Sequence, residues 1–189
     1  MNLKIDEFEN LKMNNAYILT GGNIGDRFKN IKQAQHLIEN QCGTIILQSA
    51  IYETAAWGMT DQQDFLNQVL LIQTTLSPIV LMITILNIET KMGRTRMEKN
   101  GPRTIDIDIL FYNDVVISGR ESAIGYNQLN EPGSKGDPEL IIPHPQLHNR
   151  RFVLEPLNEI ASEFEHPIFK KSIHQLLIEC DDPLQVKKL

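Results

Sequence analysis

Gly101-Pro102-Arg103-Thr104-Ile105-Asp106-Ile107-Asp108-Ile109-Leu110 alternates carboxylates with isoleucines. A repeat of two is the repeat of a strand, so a β-strand is predicted over 104–112. On such a strand Asp106 and Asp108 project together from one face, while Ile105, Ile107 and Ile109 enter the core. Carboxylates side by side repel each other unless a cation lies between them. Hard oxygen donors that leave room for water and phosphate oxygens suit Mg²⁺. A bare D-x-D pair is, however, more often the solvated face of an edge strand. The basic run before it reverses that preference: Arg94, Arg96, Lys99 and Arg103 lie in or beside a Gly-containing loop over 92–102. Arginine suits bidentate phosphate contacts and lysine suits point-charge neutralisation. A basic loop leading into a metal-binding strand is what a nucleoside triphosphate needs.

Outward from this strand, the chain alternates elements. A short apolar strand over 16–19 runs into the turn Gly21-Gly22-Asn23. A helix follows over 26–40, with Phe28, Ile31, Ala34, Leu37 and Ile38 at helical spacing and Gly43 as a stop. Strands are predicted over 44–54 and 65–75, joined by a polar loop over 55–64. Residues 65–87 contain no charge and are long enough to span a bilayer, but Asn67, Gln68, Gln73 and Ser77-Pro78 interrupt them. They are predicted as a buried strand followed by a helix over 78–91. The order β-α-β-β-α-β is that of a ferredoxin-like α+β sandwich, an antiparallel sheet with helices packed on one face. Apolar runs over 153–160 and 168–178 predict C-terminal helical additions.

The chain has 189 residues, 41% hydrophobic and 22% charged, which fits one compact domain over 16–189 after a polar N-terminal extension over 1–15. A net charge of −6 argues against a broad nucleic-acid surface. The two cysteines, Cys42 and Cys180, form no ligand-spaced cluster and fit a reducing cytosol. A cytoplasmic protein is expected, with no membrane and no nucleic-acid partner. A monomer is expected, with a dimer left open. No Gly-x-x-x-x-Gly-Lys-Ser/Thr motif occurs, which excludes a P-loop.

A second basic cluster combines His144, His148, Arg150 and Arg151 within Pro143-His144-Pro145-Gln146-Leu147-His148-Asn149-Arg150-Arg151-Phe152. Spacing alone leaves His144 evenly divided between a phosphate donor and a surface residue, and favours the surface for His148. Composition alone would put Phe65 and Phe152 in the core.

Read together, Gly101 to Leu110, Leu19-Thr20-Gly21-Gly22-Asn23, Tyr52-Glu53-Thr54, Asp64-Phe65-Leu66-Asn67 and Pro143-His144-Pro145 with Arg150 and Phe152 resemble the hydroxymethyl-dihydropterin pyrophosphokinase family. The resemblance covers about 16–161. It implies transfer of pyrophosphate from ATP to the hydroxymethyl group of 6-hydroxymethyl-7,8-dihydropterin, giving AMP and the pterin diphosphate, in folate biosynthesis. It implies Asp106 and Asp108 as ligands of two Mg²⁺ ions, and Arg94 and Arg103 as catalytic cations. ATP would be bound by Arg94, Arg96, Lys99, Arg103, His144 and Arg150. The pterin would lie between Phe65 and Phe152, read by Asn67, Thr54, Ala55 and Trp57; two ring faces clamp a flat heterocycle and an amide offers donor and acceptor. Two readings from other classes remain beside it: a different D-x-D nucleotidyl- or glycosyltransferase, and a non-catalytic ferredoxin-like binding module. Relative to the family pattern, residues 119–139 read as a surface insertion.

Overall fold

A computed structural model describes residues 12–56, 62–94, 101–119 and 140–189. In chain order the first elements are β1 (Asn14–Gly22), α1 (Arg27–Gln41), β2 (Thr44–Gln48), β3 (Tyr52–Thr54), β4 (Phe65–Thr74), α2 (Pro78–Lys91) and β5 (Asp106–Tyr112). They give the expected β-α-β-β-α-β series, with its second strand split into β2 and β3. After them come β6 (Ile117–Gly119), β7 (Leu140–Ile142), α3 (Arg151–Ala161), α4 (Ile173–Glu179) and β8 (Val186–Lys188).

Six strands form one antiparallel sheet in the order β5-β1-β4-β3-β8, with β2 also paired to β4. Alternation divides its residues between two cores. Ile18, Leu70, Ile105, Ile107 and Ile109 pack with Ile31 and Ile38 of α1 and with Leu81 and Ile85 of α2. Leu19, Val69, Leu110 and Phe111 face the other way, onto Leu154 and Leu157 of α3 and Ile173 and Leu176 of α4. Helices over a single face were expected. α1 and α2 obey that, while α3 and α4 cover the opposite side. Leu110 and Phe111 share this second core because the β1–β5 register shifts between Tyr17 and Ile18. Burying one isoleucine contributes about 1.5–3 kcal/mol. A one-residue slip of β5 would therefore take three isoleucines out of the core beneath α1 and α2 and put both aspartates into it, and the register is fixed accordingly.

Other boundaries differ from the sequence-based expectation for local reasons. The strand over 44–54 breaks at Ser49, whose buried Oγ accepts the Val69 N–H (3.0 Å) and donates to the Ala50 carbonyl (2.7 Å). Gly21 and Gly22 end β1 instead of forming a turn. Phe28 is 49% exposed, and the buried stripe of α1 is Ile31, Ala34, Gln35 and Ile38. The helix expected over 168–178 begins only at Ile173, where Ser172 and Gln175 form a reciprocal cap. Strand β8 was not anticipated; it pairs with β3 at the sheet edge. Among the described residues no helix is long and apolar enough to cross a membrane.

Candidate functional site

The β1–β5 register sets Asp106 beside Gly21 and Asp108 beside Leu19. Both carboxylates stand on the wall between two cavities. The first is lined by Thr54, Ala55, Phe65, Asn67, Arg103, Arg150 and Phe152 as well as the aspartate pair. The second carries Glu89, Arg94 and His144 together with the same pair. Nine of the residues singled out in the sequence thus meet around the first cavity or its wall, and His144 and Arg94 face the second. Arg150, expected beside the nucleotide with His144, lines the first cavity with Phe152. Trp57, Arg96, Lys99 and the insertion over 120–139 lie outside the described residues.

Sheet geometry orders the first cavity. Asn67 lies on β4 opposite both Gly21 and Tyr52. Its Nδ2 donates to Thr54 Oγ1 (2.9 Å), and both residues are only 3% exposed. The buried amide is therefore fixed in orientation before any ligand arrives. The Arg103 guanidinium lies over the Phe65 ring, 5.5 Å from its centroid, and that of Arg150 lies 5.7 Å from the centroid of Phe152. Each prospective stacking ring is thus paired with a cation.

The electrostatics centre on Asp106, which forms ion pairs with both Arg94 and Arg103. Arg94 also pairs with Glu89. Burial opposes the Arg94 charge, but Asp106, Glu89 and Asp108 outweigh it and raise its pKa. Burial pushes the Asp108 carboxyl up to about 7, helped by the charges of Asp106 and Glu89 and opposed by Arg94 and Arg150. Glu89 is likewise pushed up to about 7 by burial and by Asp106, against the pull of Arg94 and the Ile107 N–H. His144 is driven down to about 4 by burial and by nearby Arg150, against Asp106. Its ring is neutral at pH 7. Because Nδ1 accepts the Gln146 N–H (3.3 Å), the proton belongs on Nε2, which can donate. The His144 N–H in turn donates to the Leu110 carbonyl (3.0 Å), which fixes this segment along β5.

Two residues of this region carried no role in the sequence reading. Glu89 accepts the N–H of Ile107, between the two aspartates, at 2.7 Å. Its signal was available, since Leu81, Ile85 and Glu89 recur at spacing four on the buried face of α2. Asn23 is 2% exposed and bonds to residues on both sides of the site. Nothing local distinguished it from a turn asparagine.

The donor set fits Mg²⁺ arriving with a nucleotide. Two hard carboxylates share one face, and among the described residues no group of three acidic, histidine or cysteine side chains forms a closed metal cage. The remaining coordination would fall to phosphate oxygens and water.

Solved structures with the same architecture include a triple mutant of the HPPK-DHPS of Plasmodium falciparum, with TM-score 0.72 and 22% identity. It covers 92% of this chain, which spans 45% of its length. The fold is thus the ferredoxin-like one of pyrophosphokinase domains. At the level of sequence, the model of the 7,8-dihydro-6-hydroxymethylpterin-pyrophosphokinase family matches residues 17–162, and the chain belongs to that family. A Bacillus subtilis 2-amino-4-hydroxy-6-hydroxymethyldihydropteridine pyrophosphokinase is 40% identical over 155 residues, 81% of this chain and 82% of the relative. An Aquifex aeolicus protein of the same name is 37% identical over 163 residues, 86% of this chain and 90% of the relative. The activity is accordingly an ATP-dependent transfer of pyrophosphate to hydroxymethyl-dihydropterin in folate synthesis.

Proposed function

We propose that the two cavities divide the reaction between them, with the pterin in the cavity of Phe65, Phe152, Asn67, Thr54 and Ala55, and the nucleotide in that of Arg94 and His144. The observation that carries this reading is the position of Asp106 and Asp108 on the wall shared by both. The acceptor hydroxyl and the β-phosphorus of ATP must meet across one set of charges, and these carboxylates face both sides. Trp57 would join the pterin side, and Arg96 and Lys99 the phosphate side.

In the transfer, the pterin hydroxymethyl oxygen forms a bond to the β-phosphorus while the bond from that phosphorus to the AMP oxygen breaks. The hydroxyl proton passes to solvent water and AMP leaves with the bonding pair. Bound Mg²⁺, two ions in this reading, supplies charge neutralisation on the triphosphate and lowers the pKa of the attacking alcohol. Asp106 and Asp108 hold the hard-ligand positions. Arg94 and Arg103, which neutralise Asp106 in this structure, become available to phosphate oxygens once that carboxylate has another counter-charge. His144 donates through Nε2 without adding charge, and Arg150 reaches the phosphates from beside Phe152. The amide of Asn67, oriented by Thr54, reads the pterin edge. Positioning and charge do most of this work.

The same reading treats 16–189 as one domain, supported by the pairing of β8 with β3 in the main sheet. It takes the chain to be cytosolic, in keeping with two buried, unpaired cysteines, and to act as a monomer, with a dimer left open.

The test combines an assay and a variant. AMP should form only when ATP, Mg²⁺ and hydroxymethyl-dihydropterin are all present. Phe152→Ala should weaken the pterin by about 1–3 kcal/mol, as for loss of an aromatic face under a base, and leave ATP binding nearly unchanged. Equal losses for both ligands would overturn the division.

A further inference from the structure

Asn23 sits in the turn between β1 and α1 with its amide almost fully enclosed. Its Nδ2 donates to Gln62 Oε1 (3.0 Å) and to the Gln63 carbonyl (2.9 Å). Its Oδ1 accepts the Arg103 N–H (2.9 Å). The Arg103 carbonyl accepts the backbone N–H groups of Asn23 (2.9 Å) and Ile24 (3.2 Å). The turn is pressed against this segment so closely that a Cβ on Gly22 would lie 2.3 Å from the Thr104 carbonyl oxygen. One side chain therefore joins the backbone of Arg103, whose guanidinium pairs with Asp106, to the residues that lead into Phe65 and Asn67. Arg27 braces the same run from α1, donating to the Asp64 carbonyl (2.8 Å).

We propose that Asn23 is a positioning residue that couples the nucleotide side of the site to the pterin side. The inference rests on the assignment of the two cavities above. A counter-charge that draws Arg103 away from Asp106 strains the segment whose N–H and carbonyl are both anchored at Asn23. The amide passes that strain to Gln62 and Gln63, a few residues before Phe65. Linkage makes the effect reciprocal: a nucleotide that strengthens pterin binding is itself held more tightly when the pterin is present. A staple with only a structural role would lower stability and both affinities together, and would leave their coupling intact.

The ratio of pterin affinities with and without nucleotide separates these roles. Calorimetric titration of hydroxymethyl-dihydropterin should be run with and without Mg²⁺ and an ATP analogue carrying a methylene between the α- and β-phosphates. In the wild type the analogue should tighten pterin binding by about tenfold or more. Asn23→Asp keeps the acceptor for the Arg103 N–H but loses both donors, and should bring the ratio to within about twofold. Gln62→Leu removes one acceptor on the loop side and should give an intermediate ratio. If Asn23→Asp fails to fold by circular dichroism, Gln62→Leu carries the test. An unchanged ratio in the folded variants, or a wild-type ratio of one, would overturn the coupling. A Phe152→Ala control that bound pterin normally would overturn the cavity assignment, and this inference with it, through a different signature.

Discussion

Gly21 and Asn67 are cross-strand partners so close that a Cβ on Gly21 would lie 2.4 Å from Asn67 Oδ1. The missing side chain is therefore a requirement of the neighbouring amide, not of a turn. Gly21→Ala should push Asn67 from its hydrogen bond with Thr54 and leave a buried polar group poorly paired. That costs about 1–3 kcal/mol, or roughly tenfold to hundredfold in pterin affinity. Nucleotide affinity should change little. The Michaelis constants of the two substrates, measured side by side, check this; an equal rise in both would point to a displaced β5 instead.

Asp106 and Asp108 should behave alike in catalysis and differently in stability. Removing either carboxylate should lower turnover by about 100-fold or more, since each faces the charges of the transferring group. Without Mg²⁺, Asp108→Asn relieves a buried carboxyl already crowded by Asp106 and Glu89, so its melting temperature should hold or rise. Asp106→Asn takes a partner from both Arg94 and Arg103 and should cost about 1–2 kcal/mol. Metal-free thermal unfolding of both variants decides it. A sequence-based argument from carboxylate repulsion alone expects an equal or higher value for both, because it does not weigh the two arginine partners.

That contrast marks how far the sequence could be read. Alternation of Ile105, Ile107 and Ile109 with the aspartates was enough to orient β5, because local periodicity and core burial give the same answer. The helix cap at Asp26, which accepts the Lys29 N–H, and the proline start of α2 are equally local. Strand β8 was illegible: Val186-Lys187-Lys188 has no apolar alternation and exists through its pairing with β3 and the Lys188–Glu159 ion pair. The place of Arg150 was illegible for the same kind of reason, since no spacing reveals that the N-cap residue of α3 lines the cavity of Phe152. Asn23 and Glu89 act through partners 80 and 18 positions away along the chain.

A histidine outside the site should set part of the acid sensitivity. His166 is 2% exposed, and its Nδ1 accepts the N–H groups of Ile168 (3.2 Å) and Phe169 (3.3 Å). Burial, with the nearby His148, lowers its pKa from 6.5 to about 4. A depressed folded-state value means no penalty above the unfolded value. As pH falls below 6.5 the unfolded chain takes up a proton that the folded one refuses, and stability is lost until about pH 4. By pH 5 this amounts to about 1–2 kcal/mol. In His166→Asn, Oδ1 can still accept but does not titrate. Urea unfolding at pH 7 and pH 5 should therefore show the wild type losing more stability than the variant; parallel losses would refute the assignment.

The last expectation concerns residues 120–139, whose flanking positions are informative even though the stretch itself lies outside the described residues. Gly119 and Leu140 are register partners in the antiparallel pair of β6 and β7, so the segment leaves and returns at adjacent points. A short hairpin turn can bridge such a pair, and closure entropy grows only logarithmically with the length removed. The stretch also carries an acidic balance, Arg120 and Lys135 against Glu121, Glu131, Asp137 and Glu139, which makes it a poor phosphate ligand. Against this, Leu140 and Ile141 line the cavity assigned to the nucleotide, so a contribution to that side is a real alternative. Replacing 122–135 by a short glycine-containing turn should preserve pyrophosphate transfer and shift the melting temperature by only a few degrees, as for a change of about 1 kcal/mol or less. A large rise in the Michaelis constant for ATP, with circular dichroism unchanged, would instead make the stretch a working part of the nucleotide site.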